Sequence, residues 1–140
     1  RVVSVMIHDH FLTPRIDGVT GTHHNLSHHG QDKIKLDQLQ KIERKIVTCF
    51  GSLLNQMKST SETDSTLLDN TSILFGSNLG NANAHHARNL PIFLAGGGFN
   101  HGHYVDHYEG TPLSNLFVTM MNKSGIETES FGQSTGALSW

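Results

Sequence analysis

From residue 32 to 58, Leu36, Leu39, Ile42, Ile46, Phe50, Leu53 and Met57 recur at three- and four-residue steps. They form one apolar stripe about seven helical turns long. Asp32, just ahead of the stripe, suits the N-cap, where its carboxylate can accept the first free backbone N–H groups. A helix of this length needs a large apolar partner, so its stripe is expected to be core. Cys49 lies inside the pattern and reads as a small buried hydrophobe. As the single cysteine it excludes an internal disulfide and a cysteine-based zinc site.

Three short apolar runs surround this helix in sequence. The run 2–7 (VVSVMI) is continuous, apolar and rich in β-branched residues, the pattern of a strand buried on both faces, and 71–76 (TSILFG) and 90–95 (LPIFLA) read as a second and third buried strand. Pro91 is tolerable near a strand start. Residues 59–64 (STSETD) read as a polar connector. Thr111-Pro112 fits the start of a second helix running to Asn122 or Lys123, with Leu113, Leu116, Phe117, Met120 and Met121 inward and Gly125 as its C′ residue. Strands separated by a long helix and by loops predict one α/β domain over 1–140. Its expected core is a mostly parallel sheet with flanking helices.

The chain has 140 residues, enough for one domain with a real core. Net charge is −2 with neutral histidines and only 16% of residues are charged, so no basic footprint points to nucleic acid. No apolar run approaches the roughly 18 residues of a membrane span. Because the sequence opens at Arg1, inside an apolar run, it is expected to be the C-terminal part of a longer parent chain. The missing N-terminal part of that parent is then its first expected partner.

Histidine is where the chemistry lies. The chain carries eleven, and His23, His24, His28 and His29 fall within seven residues. Imidazole is the commonest protein ligand for borderline metals, and His24 and His28, four apart, share a face of any helix that contains them. His85 and His86 fall in a polar, asparagine-rich loop between the second and third strands. His8-Asp9-His10 follows the first run, either lining a site at a strand end or forming a solvated loop. Gly96-Gly97-Gly98 lacks the Lys-Ser/Thr of a phosphate-binding loop and reads as a turn. No G-x-S-x-G elbow supports a serine nucleophile at Ser27 or Ser77, and no C-x-x-C-H motif supports attached haem.

The stretch His24-Asn25-Leu26-Ser27-His28-His29 matches H-x-x-S-H-H and resembles a family of secreted bacterial proteins named for that motif. Further likeness lies in Thr66-Leu67-Leu68-Asp69, in Phe75-Gly76-Ser77, in residues 90–97 and 111–116, and in the closing 131–138. The resemblance implies a secreted or periplasmic protein. A second, more distant likeness is to the alkaline phosphatase and sulfatase superfamily, which implies a parallel α/β sheet and a two-metal site. There, an upstream ligand pair four apart looks like His24 and His28. Ser77 and Asn78 occupy the strand-end ligand positions, and His85 or His86 takes the later histidine's place. The usual strand-end carboxylate is therefore absent, and the superfamily's nucleophile would lie outside this chain.

Two functions follow. The first is a metal-binding domain, derived from a metal-dependent phosphate or sulfate ester hydrolase but not expected to hydrolyse alone. Zinc or another transition metal would be held by His24, His28, His85 and His86, with Asp17, Ser27, His29, Ser77 and Asn78 around them. Neutral imidazoles without carboxylates suit such metals better than magnesium or calcium. The second is a non-enzymatic structural or interaction module whose histidines form a hydrogen-bonded cluster.

Overall fold

The structure is a computed structural model that describes residues 1–7, 11–108 and 110–140. His8-Asp9-His10 lies outside the described residues. The elements in chain order are α1 (His23–Ser27), α2 (Lys33–Ser59), β1 (Ser61–Glu62), β2 (Ser65–Thr66), β3 (Ile73–Gly76), β4 (Ile92–Ala95) and α3 (Ser114–Lys123). The chain divides into two compact units, one of Arg1–Gln56 with Phe75–Ile92 and one of Met57–Leu74 with Phe93–Trp140.

The long helix forms as its spacing predicts. Asp32 caps it, its Oδ1 accepting from Ile34 N at 2.8 Å and Lys35 N at 3.2 Å. The first unit's core is small: Val19, Leu26 and Ile42 are buried, with Ile16, Leu39 and Ile46 packed against them. Farther along α2, the face of Phe50 continues through half-buried Leu54, and Leu53 is 46% exposed. A step of four from Phe50 reaches 54, so the stripe follows the helical period past the position assigned to Leu53. Phe50 stacks on Phe75 with centroids 4.3 Å apart. Cys49 is exposed, on the solvent side of the helix and not in the core.

The expected parallel sheet is not formed among the described residues. Two strands arise where the runs at 71–76 and 90–95 predict them, but they pair antiparallel as β3–β4. Ser77 N, just past β3, donates to Pro91 O, just before β4 (3.3 Å). A parallel pair needs a crossover that carries the chain back along the sheet. Here the segment 77–91 folds into a local loop instead and delivers β4 beside the end of β3. Gly76 permits this closeness: a Cβ there would lie 2.5 Å from Pro91 O. Residues 2–7 form no strand, and Val2, Val3, Val5 and Met6 are 98%, 82%, 74% and 85% exposed. An apolar β-branched run becomes a strand when another strand takes up its backbone groups, and no described strand does. The alkaline-phosphatase-like architecture is therefore not the one this chain adopts.

In the second unit, the stretch expected as a polar connector at 59–64 instead opens a small hairpin, β1 paired antiparallel with β2 in the register Ser61 to Thr66 and Glu62 to Ser65. Asp69 closes the turn that follows, its Oδ2 accepting from Thr66 N (2.9 Å) and Thr66 Oγ1 (2.7 Å). These two bonds hold the Asp69 carboxyl below the usual carboxylate range. Helix α3 starts two residues later than Thr111-Pro112 predicts, after a turn in which Asn115 N bonds Pro112 O. It ends at Gly125 (φ +79°), with Ile126 N bonding back to Met121 O. The C-terminal segment is laced to α3 by Asn115, which bonds Thr135 N and Oγ1, and by Thr119, which bonds both backbone groups of Leu138.

Candidate metal centre

Helix α1 has five residues, too short to persist unaided in water. Tertiary contacts hold it. Thr22 Oγ1 caps it by accepting from Asn25 N (3.1 Å), and Leu26, 2% exposed, is its anchor in the core with Val19 and Ile42. The approach is fixed by Gln38 on α2, whose Oε1 accepts from Thr20 N (2.8 Å) and Gly21 N (3.3 Å). Gly21 leaves room for Leu26, since a Cβ would sit 2.9 Å from Leu26 Cδ2. Ser27 is buried and donates to His24 O (2.8 Å). With Leu26 and Ser27 facing inward, His24 is exposed and His28 half-buried.

The second piece comes from more than fifty residues downstream. Residues 80–86 form a tight loop in which Asn81 and His86 bridge backbone to backbone, and Asn81 Oδ1 accepts from Ala84 N (3.0 Å). Gly80 is forced at its base, because a Cβ would overlap the carbonyl of Arg88. His85 adopts a left-handed backbone (φ +54°), uncommon outside glycine and several-fold enriched in histidine.

Together these segments set three imidazoles in a row. The His24 and His28 centroids are 4.8 Å apart at 70°, and those of His28 and His85 are 4.8 Å apart at 50°. Phe11 closes the His24 end at 5.2 Å. With metal–nitrogen bonds of about 2.0–2.1 Å, two imidazoles on one ion have ring centres roughly 4.5–5.3 Å apart. Both spacings fall in that span. Among the described residues, no group of three or more His, Cys, Asp or Glu side chains is already arranged to hold a metal ion. Ligation by this row would therefore require its rings to turn about their side-chain torsions.

Electrostatics favour the neutral ring at the centre. The His28 pKa is lowered first by burial, then by the neighbouring positive charges of His24, His85 and Lys35. Lys35 Nζ also reaches His28 O at 3.4 Å. A lowered pKa leaves the imidazole unprotonated near neutral pH, the form that ligates metals.

Of the other expected residues, His86 is held through its backbone bridge to Asn81 and does not join the row. His29 turns its Nδ1 to accept from Gln31 N (3.1 Å), which leaves the proton on Nε2 in the neutral ring. Burial raises the carboxyl pKa of Glu43, and the nearby imidazole of His29, when protonated, opposes that rise. Asp17, Ser77 and Asn78 are exposed. Ser77 Oγ accepts from Leu79 N (3.2 Å), a local turn bond.

Sequence reasoning missed Phe11, Lys35 and Asn83. Asn83 Oδ1 accepts from Gly30 N at 2.9 Å, joining two segments 53 residues apart. The asparagine-rich composition of 78–89 is the one signal that could have found it. Comparison with models of known protein families, with curated proteins and with solved structures finds no match for this chain. Among the described residues, no helix is long and apolar enough to cross a membrane.

Proposed function

We propose that the chain is a metal-binding domain whose site is the row His24, His28 and His85, taking zinc or another late first-row transition metal. The observation that carries this reading is the pair of 4.8 Å ring spacings between histidines from two distant segments. An all-imidazole donor set prefers copper, nickel or zinc over the oxygen-seeking magnesium and calcium. The neutral tendency of His28 supports the same reading. Ester hydrolysis forms no part of it: Ser77 and Asn78 stand where the strand-end carboxylate would be needed, and the fold that suggested that chemistry is not adopted. The H-x-x-S-H-H likeness of residues 24–29 supports a secreted or periplasmic protein.

The test is elemental analysis of protein purified without a histidine tag or nickel column, after dialysis against zinc and then against metal-free buffer. About one ion per chain in the wild type, lost in a His24→Ala, His28→Ala double variant, is the expected result. Metal-free wild-type protein would remove the reading. A second function, a structural ring cluster presented to a partner, is favoured by the continuation of the row into Phe11. It predicts that the double variant lowers the melting temperature equally with and without zinc.

A further inference from the structure

The geometry points to Asn83 as the positioning residue that sets His85 against His28, an inference that rests on the metal-site reading for its consequence but not for its geometry. The proposed ligands sit on separate stretches of chain, with His24 and His28 on and just after α1 and His85 in the loop before β4. A row of rings at 4.8 Å needs the two stretches held in register. The Gly30 N–H to Asn83 Oδ1 bond (2.9 Å) is placed to supply that register. Gly30 lies two residues after His28, and Asn83 lies two residues before His85.

Both ends of this clip are conformationally special. Gly30 has φ +54° with nothing within 4 Å of where a Cβ would stand, so the position needs glycine for its backbone and not for space. That backbone presents the N–H to Asn83. On the other side, His85 N bonds Ala82 O (3.3 Å) and Asn81 Oδ1 holds Ala84 N, so the loop around Asn83 is internally tied. A tied loop can be moved as one body. One hydrogen bond at its tip therefore decides where the His85 ring stands.

Partners behind metal ligands typically contribute 10–100-fold in affinity. An Asn83→Ala variant should weaken zinc binding by about that factor. Asn83→Asp, which keeps the acceptor oxygen, should restore affinity to within about threefold of wild type, a loss below the 10-fold floor of such effects. The experiment combines zinc titration calorimetry with proton NMR of the metal-free protein, reading nuclear Overhauser contacts between the His28 and His85 rings. Loss of those contacts in Asn83→Ala and their return in Asn83→Asp, with melting temperature unchanged, is the expected result. Intact ring contacts in Asn83→Ala would overturn the inference, whatever the zinc affinity. If wild-type protein binds no zinc, the metal reading fails on its own, and the ring contacts alone decide the role of Asn83.

Discussion

Two histidine-rich parts of this molecule end in different arrangements. Around α1 and the 80–86 loop, His24, His28 and His85 stand ring to ring. In the second unit, His101, His103 and His107 lie on a segment with no regular secondary structure. There, His101 Nε2 approaches Gly96 O (2.9 Å) and its ring meets the edge of Phe99 (6.4 Å), while His103 and His107 are exposed. Histidine density is similar in the two parts; the scaffold is not. The first set rests on a helix anchored by buried Leu26, on a cap at Thr22 and on a clip from Asn83. The second has a glycine turn behind it, in which Gly96, Gly97 and Gly98 all take positive φ (66°, 61° and 66°). Ligand-type residues become a site when buried neighbours remove their freedom beforehand, since each ring ordered at the moment of binding costs entropy.

The largest expected effect tests that contrast directly. His28→Ala should reduce zinc affinity by at least about 100-fold, the upper end of what residues behind a ligand contribute. A His103→Ala, His107→Ala double variant should leave affinity unchanged in the same calorimetric titration. Equal losses in the two proteins would break the comparison.

Next in size is Leu26→Ala, which empties part of the small core of the first unit. Loss of a buried leucine side chain costs about 2–5 kcal/mol, read as a shift in the urea midpoint. Amide chemical shifts around His24 and His28 should move, and those of 101–107 should stay. Movement at 101–107 would show that the two histidine-rich parts share one scaffold.

The smallest effect separates the units by pH. His28, with its pKa lowered in the fold, takes up a proton more readily when unfolded. Its contribution to stability is full above the ordinary imidazole value of about 6.5 and is lost as pH falls through its folded value. Asp69 has a lowered carboxyl pKa, so its contribution is full above about pH 4 and is lost as pH falls through its own, lower folded value. Acid titration followed residue by residue should therefore loosen the His28 region first and the Thr66–Asp69 turn at distinctly lower pH. A single shared transition would show that this local electrostatic difference does not separate the two regions.

Much of the local structure is legible in the sequence. Asp32 was readable as a cap because an acidic residue ahead of a helical stripe has one strong use, and Gly125 because a left-handed residue after a helix is most often glycine. Strands at 73–76 and 92–95 followed from short continuous apolar runs bounded by turn residues. The same pattern misled at residues 2–7, which are β-prone and form no strand among the described residues. It also misled in sheet direction, because strand propensity says nothing about which edge a neighbour takes. The 77–91 loop decides that direction by turning back on itself. In the site, the spacing of four between His24 and His28 was readable as a shared helical face. The choice of His85 over His86 was not, since it depends on how residues 80–86 fold back on themselves and meet the chain after α1.

The sequence by itself determined α2 and, to within two residues, α3, the caps at Asp32 and Gly125, two of the strands and the imidazole-rich, carboxylate-poor chemistry of the candidate centre, because each depends on residues within a few positions of one another. Tertiary structure alone decided the antiparallel pairing of β3 with β4, the exposure of Cys49, and the meeting of His28 with His85. Those outcomes depend on contacts between residues far apart in the chain, such as Gly30 with Asn83, whose closeness is set by the packing of whole segments and leaves no periodic trace along the sequence.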